Sequence, residues 1–175
     1  MSTKVLVGHA TRYGSTQEVA EAVAATLREC GLAVDIQPMR QVRTLAGYSA
    51  AVLGAPLFMF RWHKDALGFL SRHREALTER PVAVFALGPT HDPYDEKEWP
   101  DSCAQLDQEL SKFPWLTLVA LKMFGGKYDP EKLRFPINLL AGKEPASDLR
   151  DWTAIRAWWL FTDRVILLIA FLHLE

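Results

Sequence analysis

A chain of 175 residues is long enough for one domain burying roughly 70% of its unfolded surface and too short for two of ordinary size, so a single domain over 1–175 is expected. Hydrophobic residues make up 49% and charged residues 23%, with 10 Gly and 10 Pro spread along the chain, which excludes disordered, collagen-like and low-complexity classes. With 20 basic and 21 acidic side chains the net charge is −1, leaving no cationic surplus for nucleic acid. Cys30 and Cys103 lie outside any metal-ligand spacing, and no metal site is expected. The start, Met1 to Lys4 leading into Val5-Leu6-Val7, has no signal-peptide pattern, and a reduced, cytoplasmic setting follows as an expectation.

In chain order, Val5-Leu6-Val7 reads as a strand and 16–30 as a helix with Val19, Ala20, Val23, Ala24 and Leu27 on one stripe and Gly31 as its stop. Strands follow at 33–36 and 50–53, a helix at 64–78 with Leu67, Leu70 and Leu77 inward, a strand at 82–87, a helix at 102–112 and a strand at 117–121. The stretch 124–150 reads as an irregular connection with a short helix at 131–140. A last helix starts near Asp148 as N-cap and carries Trp152, Ile155 and Trp158 on one side. Most of the strands are apolar without alternation, as strands covered on both faces are. Interleaved with helices they predict a parallel sheet in a three-layer α/β sandwich. Ligands of such sheets sit beyond the carboxyl ends of the strands, so the loops 8–16, 54–63 and 88–101 should line one crevice.

The first of these loops reads Thr11-Arg12-Tyr13-Gly14-Ser15-Thr16 and opens directly into a helix. Backbone N–H groups, hydroxyls and the helix dipole converge there on a place for an anion, without a lysine. The other reading is a plain N-cap. Neither GxGxxG nor GxxxxGK[ST] is present, which disfavours a dinucleotide fingerprint and a P-loop.

Thr11, Gly14, Thr16, Ala20 and Val23 match place by place the FMN-phosphate pattern of the flavodoxin family, which the chain resembles over about 1–158. The resemblance implies a flavodoxin-like five-stranded parallel sheet of order 2-1-3-4-5, FMN as cofactor, and its phosphate on the 11–16 turn. It also implies that the loop Gly54 to His63 covers one face of the flavin ring, with Pro56 beside it and Phe58 and Trp62 as the flat side chains that exclude water. Along the polar edge would run Gly88-Pro89-Thr90-His91, Gly88 letting the backbone approach, His91 able to stabilise an anionic reduced flavin, and Tyr94 able to stack on the ring. The alternatives for these side chains are a satellite core for the aromatic loop and solvent for the histidines.

Gly125-Gly126, Asp148-Leu149-Arg150-Asp151-Trp152 and Ala154-Ile155-Arg156-Ala157-Trp158 look like the bacterial flavodoxin-domain proteins grouped with the menaquinone-dependent type of protoporphyrinogen oxidase. That resemblance implies an FMN-dependent oxidoreductase passing electrons between a small organic substrate and a quinone. A non-enzymatic electron-transfer flavodoxin and a cofactor-free interaction module are the competing functions; shuttle flavodoxins are strongly acidic, which −1 is not. The tail 158–175 is apolar on every side and atypical of the family, and Asp163-Arg164 interrupts it before the length of about 20 residues that a bilayer span needs. It has three placements: a helix buried against the sheet, a face that makes a homodimer, or a foot in a membrane interface near a lipid-soluble quinone.

Overall fold

The computed structural model describes residues 4–91, 95–140 and 144–172, the side chains of the last helix being described through Leu160 and at Thr162, Arg164 and Ile166. Five strands, β1 (Lys4–His9), β2 (Ala33–Pro38), β3 (Ala50–Phe58), β5 (Val82–Leu87) and β6 (Leu118–Phe124), form a parallel sheet in the order β2-β1-β3-β5-β6. This is the expected 2-1-3-4-5 order of the long strands. The two-residue β4 (Arg61–Trp62) is added antiparallel to the end of β3, and β7 (Lys127–Tyr128) pairs with β8 (Ser147–Asp148) in a separate ribbon.

Both faces of the sheet are buried. On one side Val5, Val7, Val52, Phe85 and Phe124 meet α1 (Ser15–Glu29) and α6 (Trp152–Leu172) through Val19, Val23, Leu27, Ile155, Trp159 and Ile166. On the other, Leu6, Leu53, Val84 and Met123 meet Phe69, Leu70, Leu77 and Leu106 from α2 (Lys64–Arg72), α3 (Arg74–Thr78) and α4 (Glu98–Leu110). The helix stop expected at Gly31 is a Schellman motif: Gly31 takes φ +89°, its N–H donates to the Arg28 carbonyl at 2.9 Å, and the Leu32 N–H donates to the Leu27 carbonyl at 3.2 Å.

Several boundaries differ from the sequence reading. Strand β6 runs to Phe124, because pairing with all of β5 carries it past the point where its apolar run stops. The helix expected at 64–78 is broken at His73, whose ring turns inward, with Nε2 3.3 Å from the Val42 carbonyl and the ring centre 4.6 Å from that of Phe69. Helix α4 starts earlier than expected, at Glu98. The helix expected at 131–140 is a 3-10 turn at Pro130–Lys132 and the four-residue α5 (Ile137–Leu140). Asp148 does not cap the last helix: it belongs to β8, and the Asp151 side chain accepts from the Ala154 N–H at 2.9 Å instead.

Of the three placements for the apolar tail, the described residues of α6 fit the first: Ile155, Trp159, Thr162 and Ile166 are buried, with Trp159 edge-on to Phe85 at 5.9 Å. Trp152, expected on that face, is 43% exposed and lies under the Arg150 guanidinium at 4.7 Å. No helix among the described residues is long and apolar enough to cross a membrane.

Candidate functional site

The chain leaves β1 in one direction to reach β2 and, through β2, in the other to reach β3, so the carboxyl ends of β1 and β3 flank the point where strand order reverses. Beyond them the chain turns from β1 into α1. Gly14 takes φ +92° at the N-cap, a conformation that L side chains avoid, and its N–H donates to Thr11 Oγ1 at 2.8 Å. No side chain caps the first turn of the helix, whose leading N–H groups at 15–17 are those an α-helix leaves unpaired. Ser15 lines the cavity described below, and Thr16 is completely buried with an Oγ1 that has no hydrogen-bond partner. A buried hydroxyl without a partner costs free energy unless something else bonds to it. Together the glycine turn, the free N–H groups and this hydroxyl make a cradle suited to an anion.

Arg150 anchors this turn from below. Its side chain is 3% exposed. Nε and Nη2 donate to the two carboxylate oxygens of Asp148 at 2.8 and 2.7 Å, while Nη1 donates to Glu18 Oε2 at 2.5 Å and to the Ser15 carbonyl at 3.3 Å. This hydrogen bonding holds the Asp148 carboxyl below the usual carboxylate range. The guanidinium charge is thus matched by two carboxylates, and what Arg150 gives the cradle is a fixed position.

From the cradle a cavity of about 800 Å3 opens, toward the large end of the range of about 300–1,000 Å3 typical of ligand sites. Arg12, Tyr13 and Ser15 line it from the first loop, Pro56 to Phe60 from the second, Gly88, Thr90 and His91 from the third, and Glu98, Asp101 and Gln105 from α4. The three loops expected to share a crevice do share it. Thr11, Gly14, Thr16 and Pro89 are not among the lining residues; the Pro89 carbonyl accepts from the Gly126 N–H at 2.7 Å. Tyr94 falls outside the described residues.

Of the two aromatic side chains expected against a ring, only Phe58 is in the cavity, with the Arg12 guanidinium 4.6 Å from its centre. Trp62 is 1% exposed, packs in the core and donates its indole N–H to the Ala55 carbonyl at 3.1 Å. Hairpin register explains the difference: Trp62 pairs with Leu57, and Phe58 with Arg61. Paired residues share a face, so Phe58 and Trp62 point to opposite sides. Between them Met59 and Phe60 form a two-residue turn with φ of +46° and +67°, 74% and 76% exposed.

Gly88 admits a protein atom: a Cβ there would stand 2.5 Å from Met123 Sδ. The pair Gly125-Gly126 likewise serves backbone packing, since added Cβ atoms would lie 2.2 Å from the Leu149 carbonyl oxygen and 2.6 Å from that of Gly88. His91 is not simply in solvent, for it sits beside Glu98 and Glu144. Buried His9 and half-buried His63 are held below the usual imidazole range by desolvation. Among the described residues no group of His, Cys, Asp or Glu is placed to hold a metal ion.

The fourth wall escaped sequence reasoning. Lys127, Tyr128, Lys132, Leu133, Ile137 and Leu140 line the cavity, and Lys132 Nζ donates to the Tyr13 carbonyl at 3.5 Å. The clue available was the irregular composition of 124–150, since long structureless connections in compact domains are commonly functional.

A doubly wound parallel sheet with an anion cradle and an apolar slot at its switch point is the architecture of a mononucleotide-binding α/β protein. Residues 6–137 match the flavodoxin domain family, and the chain belongs to that family. It is 26% identical over 153 residues to the protoporphyrinogen IX dehydrogenase [quinone] of Escherichia coli strain K12, a match covering 74% of this chain and 84% of that protein. Among solved structures it is similar to oxidised flavodoxin 1 of Bacillus cereus, with a TM-score of 0.57 at 18% identity over 94% of this chain and 97% of that one. A cysteine-to-alanine mutant of the Pseudomonas aeruginosa flavodoxin gives a TM-score of 0.60 at 15% identity, over 94% and 99% of the two chains. The family's cofactor is FMN, and the residues present fit it: the partnerless Thr16 hydroxyl at the helix start suits a phosphate, and the adjoining slot with Leu57 and Phe58 suits an apolar ring.

Proposed function

We propose that the protein is an FMN-dependent oxidoreductase that passes electrons between a small organic substrate and a quinone. In this reading the phosphate lies on Thr11 to Thr16, receiving hydrogen bonds from the leading N–H groups of α1 and from the Ser15 and Thr16 hydroxyls. Pro56 and Phe58 cover one side of the ring, and the backbone of Gly88 to His91, with Pro89 and Thr90, follows its polar edge. The bound flavin supplies the electron chemistry. This chain's own residues bind it, orient it and exclude water, with Phe58 and Leu57 keeping the slot apolar so that charge in it interacts strongly with nearby groups.

The observation that carries the reading is the convergence, at one switch-point cavity, of a cradle holding a buried hydroxyl without a partner and an apolar slot. The enzyme class is supported by the likeness to a quinone-linked protoporphyrinogen IX dehydrogenase. The purified protein, supplied with FMN, should show flavin absorption bands, and with protoporphyrinogen IX as donor and a quinone as acceptor it should turn over. A colourless protein that does not bind FMN would refute the cofactor assignment, and a flavoprotein with no turnover would refute the substrate assignment.

A further inference from the structure

His91 leaves the end of β5 by a short loop and lines the cavity. Its Nδ1 is 3.0 Å from Glu98 Oε2, and its Nε2 is 3.7 Å from Glu144 Oε2. The first is the distance of an ion pair, with Glu98 Oε2 buried and otherwise without a hydrogen-bond partner; the second is too long for a hydrogen bond. Glu98, in the first turn of α4, is the more buried member, with a side chain 24% exposed against 57% for the imidazole. The carboxylate is thus the anchor, and the ring, more than half exposed, carries Nε2 on the Glu144 side, able to exchange its proton with water. Among the described residues the charges acting on the ring are acidic: Glu98 on α4, Glu144 from the far segment and Asp95 in the loop. Together they raise its pKa above the ordinary imidazole value, the close Glu98 carboxylate contributing most.

We propose that His91, oriented by Glu98, is the proton-coupling group of this cavity: Nε2 takes a proton from water as an electron pair enters the bound cofactor and releases it as the pair leaves. The proposal rests on the reading that FMN occupies the cavity. The organic donor gives up an electron pair with two protons and the quinone takes up an electron pair with two protons, while the His91 proton comes from water and returns to it, so charge and atoms balance over a cycle. Added negative charge in an apolar slot strengthens proton binding at a neighbouring imidazole, and by linkage the bound proton stabilises the added electrons by the same amount. His91 thereby acts on the potential of the site as well as on its protonation.

The test measures the midpoint potential of the FMN-loaded protein against pH for the wild type, His91→Gln and Glu98→Gln, with His91 titrated by NMR in the cofactor-free protein. The wild type should show a segment above the ordinary imidazole range in which the potential falls more steeply, by about 30 mV per tenfold change in proton concentration, one extra proton for two electrons. His91→Gln should lack that segment, and Glu98→Gln should move it to lower pH together with the NMR titration. Superimposed lines for wild type and His91→Gln would overturn the proposal and leave His91 a structural clasp between α4 and Glu144. If no flavin bands appear, the cofactor reading falls and this inference with it, an outcome the absorption spectrum separates from the previous one.

Discussion

Thr16→Val should change stability and cofactor affinity in opposite directions. Thr16 is 0% exposed and its Oγ1 has no partner, so the cofactor-free protein carries a buried hydroxyl that has lost water and gained nothing. Valine keeps the branch at Cβ and the helical rotamer while removing that oxygen. An unsatisfied buried polar group costs about 1–3 kcal/mol. Allowing for imperfect packing of the new methyl, the variant should be more stable by about 1 kcal/mol, read as a higher urea midpoint at unchanged slope. In the loaded protein the same substitution removes a hydrogen bond to a charged phosphate, worth about 1.5–3 kcal/mol, and the FMN Kd should rise by about 10- to 150-fold. Riboflavin, which lacks the phosphate, serves as control, and its affinity should not change. Fluorescence titration gives both constants. A variant that is less stable without cofactor, or one that binds FMN as tightly as the wild type, would refute the assignment of this hydroxyl to an anion.

Arg150→Met removes the clamp on the cradle; because Asp148 and Glu18 are 40% and 48% exposed and keep much of their hydration, the loss should be below the roughly 3–5 kcal/mol typical of breaking a buried pair, about 2 kcal/mol, with a larger loss of affinity for FMN than for riboflavin. Asp148 has its pKa lowered by Arg150, so its stabilisation is present above the unfolded carboxylate pKa of about 3.9 and is lost as pH falls through the lower folded value; acid titration of wild type against Asp148→Asn should diverge only above that window. Gly54→Ala would place a Cβ 2.0 Å from Phe85 Cζ, a ring already wedged against Trp159 and Phe124 at 5.9 and 6.3 Å, so a loss of about 3 kcal/mol or more is expected in denaturant melts. Replacing Met59-Phe60 by Asn-Gly should stabilise the hairpin by about 1 kcal/mol for each left-handed residue relieved and weaken FMN binding if these side chains help cover the ring, both readable from one set of melts with and without cofactor.

Local chemistry determined much of this protein in its sequence. Unalternating runs such as Val82 to Leu87 read as strands covered on both faces, Gly31 as the stop of the helix before it, and Thr11 to Thr16 as a cradle or a cap, because a glycine turn with hydroxyls at a helix start acts over a few residues. The tertiary structure decided what depends on partners far along the chain. Hairpin register, a matter of one residue, sent Trp62 into the core and Phe58 into the cavity. Met123, from the neighbouring strand, fills the space beside Gly88 where a side chain would stand. Arg150 met Ser15 and Glu18, and His91 met Glu144, only because the fold carries the far segment back over the strand ends. Pairings of that kind leave no periodic trace in a sequence, since their energy arises between side chains whose separation along the chain is arbitrary.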